Sequence, residues 1–293
     1  MTVTFVSRIT TIFLFFILYV GNNTANAQLW RYLNVTPESE AKAEKDIERE
    51  ASSVVHKKTI FEGDSVSYDI MTYTIRSFDD RIAKISLWEK PFSGHIFHID
   101  MPGDKLAIAD FTALAKVHHL SNDLLEIVYS PRGGSDQGFD NVLILGVENG
   151  KFRIVMDILC INEYTDVGKY GLYNLHLKLK GKNIDNYQLA ITVNDMLSSN
   201  NKGDKSFNKT AKFDLKFDRD KKVFYNEIKH VDGKFEFYDD KIGKTKTLHL
   251  TGVYPSINLD QYVYYLVNEI WYSSYKSPTT GKYYLSTATN IAK

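Results

Sequence analysis

Leu175-His176-Leu177-Lys178-Leu179-Lys180, then the turn Gly181–Asn186, then Tyr187, Leu189, Ile191 and Val193 at every second position: this stretch decides the fold class. Successive side chains of a strand point to opposite faces, so the three leucines turn one way and His176, Lys178 and Lys180 the other. The return segment repeats the alternation. A slip of one residue would expose its whole apolar set, so burial fixes the register of this hairpin. Phe213, Leu215 and Phe217 form the next inward row, Asp218–Lys222 turns the chain, and Val223–Val231 reads as the returning strand.

The same reading extends in both directions. Val142-Leu143-Ile144-Leu145 is apolar on both faces and predicts a strand covered on both sides. Asn149-Gly150 and Asp232-Gly233 are two-residue hairpin signals, because both positions of such turns need positive φ. Near the C-terminus, Leu259, Tyr262, Val263, Leu266, Val267, Ile270 and Trp271 fit a helical stripe. That segment is nevertheless rich in Tyr, Val, Ile and Trp, which favour strands. Strand is the reading adopted over 258–275, with Lys282–Thr287 completing a terminal hairpin. The fold class is mainly β: an antiparallel meander of hairpins, propeller-like or sandwich, with one N-terminal helix.

The N-terminus reads differently. Arg8, the apolar run Ile9–Val20 and the small-x-small site Ala25-Asn26-Ala27 predict a signal peptide over 1–27, cleaved after Ala27. The run is too short to span a bilayer, and no later stretch is apolar enough to do so. Thr36-Pro37-Glu38 is a helix start: a capping hydroxyl, proline at the first helical position, then acids near the positive end of the dipole. A solvated helix is expected over 37–55, within an N-terminal helix and linker over 28–58. The mainly β domain then runs over 59–293, with a split near 165 as an alternative.

Composition removes several functions. The chain carries 36 Lys+Arg against 36 Asp+Glu, and loss of 1–27 takes one Arg and no acid, leaving −1. Such balance argues against a nucleic-acid partner. One cysteine forbids an internal disulfide and any multi-Cys zinc site. Cys160 lies in the apolar run Ile158–Ile161 and reads as a small core residue. Export without disulfides means that burial alone must hold the fold.

Asp123-Leu124-Leu125-Glu126-Ile127-Val128-Tyr129 and Asp140–Phe152, which closes on Asn149-Gly150-Lys151-Phe152, resemble one blade of the FG-GAP/VCBS-type β-propellers. The resemblance covers 123–152 and implies an extracellular scaffold or binding module. The family's Asp-x-Asp-x-Asp-Gly calcium loop is missing, because Leu120-Ser121-Asn122-Asp123 offers too few oxygens. In general composition the chain is similar to exported proteins of Gram-negative bacteria.

Candidate chemistry is sparse. His95-Ile96-Phe97-His98-Ile99-Asp100 places His98 and Asp100 on one face, which is too few ligands for structural zinc. His118-His119 diverge on any regular element. Ser130-Pro131-Arg132-Gly133-Gly134-Ser135-Asp136 could converge backbone N–H groups on an anion, with Arg132 adding charge and Gly133 and Gly134 the freedom. It lacks the strand-turn-helix of a P-loop and the spacing of a nucleophile elbow. Lys178, Lys180 and Lys182 form a basic row, read as a solvated face in a chain with 28 Lys and 8 Arg. Among the terminal aromatics, Tyr264, Trp271 and Tyr272 are candidates for a flat partner such as a sugar ring or peptide, against cross-strand packing as the plainer explanation.

The functional expectation is an exported, non-catalytic binding or interaction module of the envelope or extracellular space. Its partner is an unknown protein or glycan, with no cofactor, no metal, no catalytic residues and no membrane span after signal removal. The alternatives are a secreted polymer hydrolase, with carboxylates brought together by the fold, and a structural envelope component.

Overall fold

Alternating burial, the mark of a sheet with one face turned inward, runs along several elements. The computed structural model describes residues 51, 53–61, 64–90, 95–108, 113–130, 137–166, 168–201, 205–239, 244–260, 262–276, 283–287 and 291–292. Among the described residues the chain is all-β, with no helix. The first sheet starts with β1 (Ser53–Phe61), β2 (Asp64–Arg76), β3 (Ile82–Lys90), β4 (His95–Met101) and β5 (Asp104–Ile108). It continues with β6 (Ala113–His119), β7 (Leu125–Ser130), β8 (Gln137–Glu148), β9 (Lys151–Asp166) and β10 (Lys169–Lys180). It ends with β11 (Gln188–Ser199), β12 (Phe207–Asp218) and β13 (Val223–Tyr225). Strand order follows chain order as an antiparallel meander, except that β5 lies off the path, between β4 and the short C-terminal β19 (Ile291–Ala292).

The second sheet comprises β14 (Glu227–Asp239), β15 (Lys244–Asn258), β16 (Val263–Val267), β17 (Ile270–Lys276) and β18 (Tyr283–Thr287). Its neighbours pair antiparallel, and β18 returns to β14 through a short parallel pairing, Glu236 with Tyr284 and Phe237 with Leu285. The sheet therefore rolls back on itself.

The decisive hairpin has the expected register. Leu175 faces Val193, Leu177 faces Ile191, Leu179 faces Leu189, and Phe213 and Leu215 continue the rows on β12. His176, Lys178 and Lys180 are exposed. The Asn186 side chain closes the turn by accepting from the Lys182 and Asn183 amides at 2.8 and 3.2 Å. Asn149 and Gly150 both take positive φ, 51° and 69°, as a two-residue turn of that twist requires.

Val142–Leu145 is buried on both faces, as its composition demanded. Leu143 and Leu145 join one apolar cluster with Tyr73, Ile85 and Ile127. Val142 and Ile144 join another with Leu189, Leu215 and Phe224, to which the second sheet adds Tyr264 and Trp271. A third cluster, including Phe235, Leu250 and Tyr265, fills the interior of the rolled second sheet.

Four expectations need correction or placement. Ser53–Val55, the end of the expected helix, is the start of β1; residues 1–50, with the signal and the rest of that helix, lie outside the described residues. Near 165 the chain stays in one sheet, with Asp166 facing Lys169, and it changes sheet at Asn226. Val223–Val231 is not one returning strand, since only Val223–Tyr225 pairs with β12. Asp232-Gly233 is not a turn but the middle of β14, facing Thr251 and Leu250. Continuous pairing along β15 overrides the local turn preference there, and Asp232 accepts cross-strand from the Thr251 hydroxyl at 3.3 Å. Over 258–275 the strand reading holds. A hairpin turn falls at Asn268-Glu269, both with positive φ and neither a glycine.

A carboxyl group is sealed inside. Asp157 is fully buried, with its carboxyl oxygens 3.0 and 2.9 Å from the Tyr129 hydroxyl, to which the Asn141 amide donates at 3.3 Å. Burial outweighs these hydrogen bonds and holds the Asp157 carboxyl well above its usual range. The native state thus keeps a proton that the unfolded chain releases. Stability from this group is complete below the ordinary carboxyl pKa and is lost as pH rises toward the raised one. Urea unfolding of the wild type and Asp157→Asn across a pH series checks this. The variant should gain relative stability with pH, at up to about 1.4 kcal/mol per unit, until Asp157 ionises.

Candidate functional site

The chain leaves the first sheet at Asn226, and the local chemistry shows how. The Asn226 side-chain amide donates to the Asn258 carbonyl at 2.8 Å and accepts from the Asn258 N–H at 2.8 Å, imitating a strand neighbour. Its own N–H donates to the Ser256 carbonyl at 3.1 Å. The Ser256 hydroxyl donates to the Glu227 carbonyl at 3.0 Å, and the Asn258 amide to the Glu227 carboxylate at 3.2 Å. These bonds commit the backbone after Tyr225 to β15.

β12 loses its neighbour in consequence. Along Phe207–Leu215 it pairs with β11 on one side and, among the described residues, with no strand on the other. Between that edge and the departing chain lies a groove of about 630 Å³, lined by Ala211, Phe213, Asn226, Glu227, Asn258 and Asp260. Phe207, on the same face of β12 as Ala211 and Phe213, is 43% exposed.

A charged tie closes one end. The Lys209 ammonium lies 3.1 Å from Asp260 and 3.6 Å from Asp195, and the Asp260 hydrogen bond raises the Lys209 pKa above its ordinary value. The Asp260 backbone, at φ 68°, is steadied by its N–H donating to the Asn258 side chain at 3.1 Å. Beneath the tie, Tyr173, Val193 and Leu259 line a much smaller cavity. The Tyr173 hydroxyl is buried without a hydrogen-bond partner among the described residues, and burial drives its pKa far up.

The groove offers two carboxylates, Glu227 and Asp260. Glu227 is engaged by an amide, and Asp260 serves as counter-ion to Lys209. Among the described residues, no group of three or more His, Cys, Asp or Glu side chains is placed to hold a metal. His98 and Asp100 do share a face, at 3.3 Å, with the imidazole stacked on Trp88 at 4.8 Å. Burial lowers the His98 pKa. His118 contacts Glu126 at 3.3 Å, while His119 bonds the Thr74 carbonyl at 3.0 Å, so the adjacent pair does diverge. Asp123 and Ser121, from the loop that lacks the calcium pattern, share the Tyr187 hydroxyl at 2.7 and 2.9 Å, and burial pushes Tyr187 up to about 12. Cys160 is 5% exposed, and burial pushes its thiol far up, away from reactivity.

Arg132, Gly133 and Gly134 lie outside the described residues. Tyr264 and Trp271 are 1% and 0% exposed, so neither presents a ring to a partner. Both instead cap backbone groups of β9: the Leu159 N–H donates to the Tyr264 hydroxyl at 3.2 Å, and the Trp271 indole donates to the Ile154 carbonyl at 3.4 Å. Tyr272 is partly buried against the interior of the second sheet. The groove residues gave little signal in sequence. Asn226 and Glu227 sit inside the stretch expected to be one strand, and only the unsupported asparagine between Tyr225 and Glu227 marked a break.

Compared with known protein families, curated proteins and solved structures, the chain matches none.

Two outcomes follow from this geometry. Asn226→Ala removes both halves of the reciprocal amide pairing and leaves the Asn258 backbone N–H without its acceptor; equilibrium unfolding should show a loss of about 1–3 kcal/mol. A thiol reagent added to the native protein should modify Cys160 no faster than the protein unfolds, with complete modification in denaturant.

Proposed function

We propose that this chain is a non-catalytic interaction module that works after export, in the periplasm or outside the cell, and binds its partner along the groove beside β12. The observation that carries this reading is the open groove itself: a strand edge left unpaired among the described residues, apolar side chains on its floor and polar groups along its rim. Exposed apolar surface bounded by polar groups is the usual mark of a contact site. The resemblance of Asp123–Phe152 to a blade of extracellular propellers supports the same class of role. The signal-like segment 1–27 and the lone, buried cysteine suit an exported protein held by burial.

The alternative, a polymer hydrolase, draws on Glu227 and Asp260 lining the same groove. Their engagement by Asn258 and Lys209 favours the binding reading, because a catalytic acid pair must leave its carboxyl groups facing the substrate. Both readings meet in one experiment. Ala211→Arg, which fills the groove floor, should abolish capture of envelope proteins or glycans by the purified protein while leaving its unfolding free energy within about 0.5 kcal/mol of the wild type. Glu227→Gln and Asp260→Asn should change no turnover on a panel of polysaccharide and peptide substrates. Hydrolysis lost in these two variants would establish the enzyme instead.

A further inference from the structure

We infer that the groove accepts an extended peptide as an added strand on β12, with apolar side chains at alternate positions and at least one basic residue among the others. This rests on the interaction module proposed above and names its partner class.

The backbone comes first. Between Phe207 and Leu215, every second residue of β12 turns its N–H and C=O away from β11 and toward the open side. Such an edge is a ready template for another chain. Here it is also already begun. β13 pairs Asp218 with Val223, Phe217 with Phe224 and Lys216 with Tyr225, then departs at Asn226. A strand arriving in line with β13 would continue a ladder whose register and twist are set.

Side chains supply the selectivity. Phe207, Ala211 and Phe213 share one face of β12, and the small Ala211 leaves depth beside Phe213 within the groove. An incoming strand would set every second side chain against that floor, and those should be apolar. Among the described lining residues, the opposite wall carries Glu227 and Asp260, with Asp195 beneath, and Lys209 is tied to both aspartates. The excess is negative, so a Lys or Arg is favoured there and an acid is opposed. Lys209 and Lys212 on the edge itself act against open-ended pairing between copies, a common protection of sheet edges.

The test uses a fluorescein-labelled nine-residue peptide alternating valine with threonine and lysine, titrated onto the purified protein by anisotropy. Saturable binding is expected. Methylation of alternate backbone amides on the bonding edge should weaken it about tenfold or more, and lysine-to-glutamate exchange should do likewise. A carbonyl-labelled peptide should show a sheet-type amide band when bound. Ala211→Arg should remove binding with the unfolding midpoint preserved, and Ala211→Val should keep the strand-addition signature. Equal affinity for the methylated peptide would overturn strand addition while leaving a side-chain-reading module in place. So would capture of a glycan that Ala211→Arg abolishes, where every alternating peptide fails. No binding of peptide, protein or glycan at the groove would overturn both readings.

Discussion

A strand that is apolar on both faces must be covered on both, and β8 with its partner β9 imposes that demand on everything else. The first half of the meander covers one face. The β10–β12 rows and the outer surface of the second sheet cover the other. β9 adds a backbone requirement to the apolar one. Its ladder with β10 reaches only Ile161–Asp166, so Ile154 and Leu159 must find partners elsewhere. Trp271 and Tyr264 provide them from the second sheet. An unmet backbone group in the interior costs as much as a lost hydrogen bond, so the aromatic residues fix where the second sheet sits as well as filling space.

This accounts for the behaviour of the C-terminal aromatics. On β16 the alternation sends Tyr264 toward the first sheet and Tyr265 into the second sheet's own interior, and the next strand repeats the choice with Trp271 and Tyr272. A sheet that rolls on itself and also leans on a neighbour needs large side chains on both faces. Sequence alone shows the density of aromatics, but an exposed face and a face buried against a second sheet look alike in it. The same limit explains the helical stripe seen over 259–271. Two short strands, each apolar on both faces and joined by Asn268-Glu269, place apolar residues at helical spacing by coincidence.

Legibility followed the range of the interaction. Leu175–Val193 was readable because a period of two and a polar turn are local, and burial then leaves one register. Val142–Leu145 was readable because continuous apolarity has one meaning in a short strand. Asp232-Gly233 misled because its turn preference is also local, while the ladder of β14 on β15 that overrides it is not. The groove was invisible for the same reason. Its walls come from β12, from Asn226-Glu227 and from Asn258–Asp260, and only the crossing between sheets brings them together.

The crossing also explains why an edge survives at all. β13 could have extended along β12 and covered Phe207–Leu215, since the hairpin turn at Asp218–Lys222 is well made, with the Asp218 carboxylate accepting from two turn amides at 3.0 Å. Instead, Asn226 carries donor and acceptor on one short side chain, and with them it hands the backbone to β15 after three paired residues. A leucine or valine there would offer β15 nothing and would favour continued pairing. The polar residue that breaks the expected strand is therefore what opens the groove, and among the described residues it leaves a strand edge unpaired where continued pairing of β13 would have closed it.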